Sequence, residues 1–394
     1  MNITAQSRQS WLVLLMLAGL VAAIGLGAAY YMEEHGHIVT GMNNQVVWGV
    51  PHVFAIFMVV AASGVLNVAS IGSVFGESAY KQRAPLSGLL CLALLAGGLM
   101  VLMLDLGKPD RIIVALTHYN FKSLFAWNMV LYSGMSGLVV VYLWTMFERR
   151  FNAWSKPAGL AVLIWRFVLT TGTGSIFGFL VARQAYQSAM LAPLFIVMSF
   201  AWGLAVFLIV QSTLYAWHKR PLPPEVQRRM ARLLGVFVAA ALYLVAVYHM
   251  TNLYFARQGS FEAFILRDGG VYPLLFWLVY VLAGSVGPML LIFHPKFQGE
   301  RGMLAASALV VLGAFAWLFV FIIGGQAFPL EIFPGFTASS SFADGAIALY
   351  QPSLPELLLG FGGLGVALVL TAVGVRVLDF MPKDATVAQA NAHA

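Results

Sequence analysis

The chain has 394 residues, 61% of them apolar or aromatic and only 9% charged, with a mean hydropathy of +0.86. A soluble fold carries about a quarter charged residues, so a water-soluble enzyme and a disordered chain are excluded, and a single cysteine, Cys91, excludes a secreted disulfide scaffold. The net charge of +7 is scattered between apolar stretches with no concentrated basic patch, which speaks for membrane topology and against a nucleic-acid partner.

What remains is an all-α polytopic protein of the lipid bilayer. A helix that crosses the hydrocarbon core needs roughly 20 apolar residues. Such stretches are predicted at 11–31, 51–75, 86–104, 124–146, 158–181, 192–216, 232–255, 272–293, 303–323 and 355–378. The short alternating segments of a membrane barrel are not seen. The first stretch is longer than a signal-peptide core, and Tyr30-Tyr31-Met32-Glu33 is a poor cleavage site, so it reads as a retained span. Lys and Arg set the orientation. With the N-terminus inside, fifteen of them, from Arg8 to Lys383, fall in inner segments and six in outer ones, which predicts both termini in the cytoplasm.

Span two opens on Trp48-Gly49-Val50-Pro51 and His52. At 100° per residue, His52, Ser63, Asn67 and Ser70 fall on one helix face. Such a polar stripe is either interhelical glue or a path for protons. Span three closes on Leu104-Asp105-Leu106-Gly107-Lys108-Pro109-Asp110-Arg111. Gly107 can end the helix and Pro109 prevents its resumption, which leaves two carboxylates and two cations where the chain leaves the bilayer. One reading is a salt-bridged helix terminus. The other is that Asp105, nearest the apolar core, exchanges protons with a lipid-soluble ligand. From Thr117 to Asn128, aromatic residues alternate with His118, Asn120, Lys122 and Asn128, offering faces and donors to a flat aromatic dicarbonyl.

Span five carries Arg166, Thr170 and Thr173 on a second stripe. An arginine at that depth reads as paired and buried, and with Ser63 and Asn67 it outlines the inner half of a proton route. Spans six to nine echo spans two to five: Pro51 answers to Pro193, and Lys81-Gln82-Arg83 to Val226-Gln227-Arg228, at offsets of 142 to 147 residues. The expected organisation is one membrane domain over 1–394 with two parallel four-helix bundles, 51–181 and 192–323, plus flanking helices. No metal-ligand spacing occurs, one cysteine cannot hold an iron–sulfur cluster, and only His52 and His249 lie at depths suited to haem, both toward the outer face. The chain is therefore expected to bind no metal, haem or iron–sulfur cluster of its own.

Taken together, Trp48 to Pro51, Leu104 to Arg111 and Asn120 to Trp127 resemble the integral-membrane, quinone-interacting subunits of the polysulfide reductase/nitrite reductase NrfD family. The Leu-Asp-Leu-Gly-Lys-Pro-Asp-Arg stretch is the most specific part. Within the family, the segment from His118 to Asn128 looks closest to the branch of DsrP, a subunit of the transmembrane complex linked to dissimilatory sulfite reductase. The resemblance implies a subunit of the bacterial inner membrane that binds menaquinone or ubiquinone near the exterior, periplasmic face. It also implies electron exchange with a docked ferredoxin-like iron–sulfur subunit, in the company of other membrane or cytochrome subunits, in sulfur-compound metabolism. Carried over by position, Asp105 and His52 become the proton-exchanging groups, Tyr119, Asn120 and Trp127 wall the quinone, and Arg111 orients the acid. The rival readings are a secondary transporter or proton-translocating channel and a structural anchor for a partner. A transporter generally places its site near the midplane on broken helices, whereas the dense polar cluster here lies at the outer ends of spans two to four.

Overall fold

The computed structural model describes residues 5–330, 345–378 and 380, and among them there is no strand. Lys383 and the side chain of Arg8, both counted above as inner cations, lie outside the described residues, as does much of the stretch between spans nine and ten. Among the described residues, ten helices are long and apolar enough to cross a membrane. They are α1 (Ala5–His35), α2 (Val50–Ser73), α3 (Ala84–Leu104), α4 (Leu124–Phe147) and α5 (Ser155–Gly178). The second half holds α6 (Leu191–Trp217), α7 (Pro224–Tyr254), α8 (Val271–Phe293), α9 (Glu300–Ala327) and α10 (Leu354–Val377).

All ten predicted spans are present. The largest difference is α7, which begins eight residues before the predicted 232. Its first two turns, Pro224 to Ala231, carry Glu225, Arg228 and Arg229, so hydropathy registers only the part of the helix that lipid would contact. Parts of α8 and α9, Leu275–Val286 and Phe319–Gly324, are wound as π-helix.

Helix α2 is the axis of the molecule. Of its most apolar 18 residues 94% are buried, against 28% for α1 and α4, whose outward faces are left for lipid. It packs on α3, α5, α6, α9 and α10, while α1 lies against α10. The α2–α6 crossing is close because Gly64 and Gly203 meet there: a Cβ on Gly64 would come within 1.6 Å of the Ser199 carbonyl oxygen. Small residues at such crossings are the usual way for membrane helices to gain contact. Arg83, counted by sequence among the inner cations, is in fact fully buried. Its guanidinium donates to Gln211 Oε1 (2.9 Å), the Ala79 carbonyl (2.6 Å) and the Tyr215 hydroxyl (3.2 Å), tying the start of α3 to α6.

The start of α2 and the end of α3 lie at one end of the bundle, here termed the site end. Also there are the segment between α5 and α6, the end of α9 and the start of α10. The basic segments, including the charged start of α7, lie at the other end.

Candidate functional site

The site begins with how two helices stop. Gly49, in extended conformation, caps α2, and Pro51 fits the first turn because its missing N–H has no helical partner there. That places His52 on the first turn of α2. At the end of α3, Asp105 is the C-cap residue, and Gly107 follows with φ +71°, a left-handed conformation that favours glycine. The turn folds the chain back over Asp105 and brings it against His37: a Cβ on Gly107 would lie 2.9 Å from His37 Nε2.

The two candidate side chains meet. His52 Nδ1 lies 2.6 Å from Asp105 Oδ2, with the Asp105 side chain fully enclosed and that of His52 13% exposed. The approach is close but badly directed, so neither Asp105 oxygen nor His52 Nδ1 has an aligned hydrogen bond among the described residues. Buried polar atoms are nearly always hydrogen-bonded. A carboxylate with free lone pairs beside a partly open imidazole is therefore equipped to take a donor from a ligand. The wall is aromatic: the Trp48 ring stacks on His52 (centroids 5.9 Å apart, 25° between planes) and also meets Phe125 of α4 at 6.0 Å and Phe177 of α5 at 5.6 Å.

Trp48 is held by its backbone. Gln326, at the end of α9, accepts from the Val47 and Trp48 N–H groups (both 3.0 Å) and donates to the Trp48 carbonyl (3.0 Å). Arg183 donates to the carbonyls of Gln326 (2.9 Å) and Gln45 (2.7 Å), locking the same loop from the segment between α5 and α6. Behind Gly49 sits a fully buried carboxylate, Glu356, in the first turn of α10. It accepts from the N–H groups of Gly41 and Ser353 (both 2.8 Å) and from the Tyr350 hydroxyl (2.7 Å), which in turn accepts from the Val50 N–H (2.8 Å). Burial, with the nearby Glu356 and Asp105 carboxylates, holds the Tyr350 phenol well above its ordinary pKa, so it stays protonated as a donor.

The other expected residues fall into three places. Tyr119 and Trp127 form a neighbouring aromatic group with Phe121 (Tyr119–Phe121 centroids 4.8 Å, Tyr119–Trp127 6.2 Å), joined in sequence to the Trp48 wall by Phe125. The Tyr119 hydroxyl is buried without a partner among the described residues, whereas Asn120 Oδ1 is occupied locally by the Lys122 N–H (3.0 Å). Arg111 is exposed, and Asp105 makes its close contact with His52 rather than with Arg111. Ser63, Asn67, Arg166 and Thr170 come together deep in the bundle. Arg166 Nη1 donates to Asn67 Oδ1 (2.7 Å) and the Ser63 carbonyl (3.2 Å), the Ser63 and Thr170 hydroxyls are 2.6 Å apart, and the guanidinium lies over Phe167 and Phe200. Between Ser63 and His52, about 16 Å along the helix, α2 offers only apolar side chains.

Sequence reasoning named Trp48 and Phe125 only as parts of motifs and missed Phe177, Gln326, Tyr350 and Glu356. A signal existed for Glu356, because Ser353-Leu354-Pro355-Glu356 has the spacing of a capping box, which is formed here. No local pattern marks Gln326.

The family profile described as "Polysulphide reductase, NrfD" matches residues 38–330. The chain belongs to the NrfD family. As an NrfD-family member with ten apolar helices it is a multi-pass integral membrane protein. It is similar to the Hdr-like menaquinol oxidoreductase integral membrane subunit of Archaeoglobus fulgidus, at 29% identity over 98% of this chain and 97% of that one. It is also similar to a selenate reductase subunit of Mesobacillus selenatarsenatis, at 21% identity over 94% of each chain. Protein NrfD of Escherichia coli matches at 23% identity over 71% of this chain and 95% of its own length.

Proposed function

We propose that this NrfD-family chain is the quinone-reacting membrane subunit of a respiratory oxidoreductase complex. A menaquinone or ubiquinone head group, entering from lipid, is held at the site end with His52 at its oxygen, Asp105 behind His52, and Trp48, Phe125, Tyr119 and Trp127 around its ring. The observation that carries this reading is the enclosed Asp105 carboxylate, short of aligned donors and touching a partly open imidazole. Quinone chemistry moves two protons with two electrons, so a titratable group must stand beside the ring. His52 and Asp105 form a relay for that purpose: the imidazole reaches the ligand and the carboxylate stands behind it, in contact with Nδ1. The A. fulgidus relative, named as a menaquinol oxidoreductase subunit, supports the same chemistry.

The site end faces the periplasm in this reading, with the termini in the cytoplasm and the chain in a bacterial inner membrane, as the excess of inner Lys and Arg argues. There the chain exchanges electrons with a ferredoxin-like iron–sulfur subunit seated over the exposed loop from Leu106 to Lys122, within a complex of membrane or cytochrome subunits acting on sulfur compounds. The polysulphide reductase named in the family profile favours that substrate class. The two four-helix bundles, 51–181 and 192–323, are its repeating halves. The Ser63, Asn67, Arg166 and Thr170 cluster is the inner station for protons, with water bridging the apolar length of α2.

The test is Asp105→Asn in the assembled complex. Quinol-linked turnover is expected to fall by about a hundredfold or more while the subunits still purify together. Unchanged turnover with assembly intact would remove Asp105 from the chemistry.

A further inference from the structure

We propose that the second half of the chain carries its own binding site for a quinone head group, with His249 at the ligand and Glu262 setting its tautomer; this rests on the quinone reading above. After α3 the chain makes a 3₁₀ turn, Pro109–Arg111, and a short helix, Ile112–Thr117. After α7 it makes a 3₁₀ turn, Ala256–Gln258, and a short helix, Gly259–Ala263, each starting 147 residues further on. The site end of α7 is thus built on the plan of the site end of α3. By the same offset Asp105 answers to Asn252, three residues beyond His249 on α7.

At that place lies a second imidazole–carboxylate pair. His249 Nδ1 is 2.7 Å from Glu262 Oε2, and the burial matches the first pair: side-chain exposure is 12% for His249 and 0% for Glu262. Asn252 Nδ2 donates to the other carboxylate oxygen at 2.7 Å. A purely structural carboxylate, as Glu356 shows, is saturated by backbone N–H groups and a phenol. Glu262 instead grips an imidazole that extends toward the surface. Accepting from Nδ1–H, it leaves Nε2 of a neutral His249 as an acceptor for a quinol hydroxyl, or as a donor to a quinone carbonyl when the ring is protonated. No protein group pairs with Nε2 among the described residues.

Independent features around the pair also point to a ligand. Gln258, one turn before Glu262 and 8% exposed, has a buried Oε1 without a partner among the described residues. The Phe276 ring meets His249 edge-on at 4.9 Å and lies 5.9 Å from Tyr280. Phe276 and Tyr280 sit on the twelve-residue π-wound stretch of α8; π-helix is rare, and where it occurs it is frequently at functional sites. Around the pair, Met250, Tyr254 and Trp277 are 68%, 88% and 49% exposed on an apolar helix surface. Such a rim opens to lipid, so the ligand is a lipid-soluble aromatic with hydrogen-bonding oxygens.

The experiment uses the full chain purified with its partner subunits and an azide-bearing photoreactive naphthoquinone, with labelled peptides mapped by mass spectrometry. Two labelled regions are expected, one within residues 48–127 and one within 249–280. H249Q and E262Q should each lower the second label about tenfold and spare the first, and D105N should do the reverse. Should E262Q fail to fold, H249Q, at the open end of the pair, carries the test. Label confined to the first region overturns the second site and leaves the quinone reading standing. Label confined to the second overturns the assignment of Asp105 and His52, and label in neither overturns both. A second label that survives H249Q and E262Q, or that excess phospholipid removes and excess quinone does not, overturns the role of His249.

Discussion

Three acidic side chains are buried among the described residues, Asp105, Glu262 and Glu356, and their partners separate their roles. Glu356 receives three donors from fixed groups that close the loop onto α10. Asp105 has one badly aligned imidazole. Replacing Glu356 by Gln turns one acceptor into a donor facing N–H or O–H groups, and hydrogen bonds to a charged group are worth about 1.5–3 kcal/mol each. Glu356→Gln is therefore expected to lower stability by about 2 kcal/mol or more, read as a drop in thermal unfolding temperature in detergent. Asp105→Asn should shift stability by less than about 1 kcal/mol, since no aligned hydrogen bond is lost. Equal destabilisation by the two would contradict the division. Asp105 was legible in the sequence because everything that marks it lies within seven residues. For Glu356 only the capping box was legible; its wider network was not, since Gly41 and Val50, on which it closes, lie about 300 residues away.

At the scale of elements, the ten spans were legible because hydrocarbon imposes length and composition on any helix that crosses it. The part of α7 beyond the apolar run and the π-wound stretches were not, since charge and hydrogen-bond register leave hydropathy unchanged. Nor was the partner of Trp48. Gln326 spends both ends of its amide on the backbone of residues 47 and 48, so α9 holds the aromatic wall of a site otherwise built from α2 to α5. Gln326→Leu removes an acceptor for two N–H groups and a donor for two carbonyls, those of Trp48 and Ile322. The expected result is a quinol KM raised severalfold, with the subunits still assembled, because Trp48 is no longer fixed over His52; an unchanged KM would show that the loop holds itself. The α2–α6 crossing has a different sensitivity. Gly64→Val sets a branched side chain against the Ser199 carbonyl, and such overpacking typically costs about 1–3 kcal/mol. Thermal unfolding should report that loss, and Gly203→Ala should cause a smaller one of the same sign.

The whole molecule is a bundle with unlike ends, one holding two imidazole–carboxylate pairs and the other most of the exposed cations. If the basic end faces the cytoplasm, Asp110 and Arg228 lie on opposite sides of the membrane, and both are accessible from outside the bundle. The natural protein suits a labelling test, because its one cysteine, Cys91, is fully buried within α3 and would stay silent. A membrane-impermeant maleimide applied to intact spheroplasts should label Asp110→Cys and leave Arg228→Cys unlabelled until the cells are lysed. The converse pattern would invert the molecule. His52 and Asp105 would then take and release protons on the cytoplasmic side, and the iron–sulfur partner would have to dock there too. The same measurement therefore decides where the proposed partner is sought and with which compartment the proposed quinone site exchanges protons.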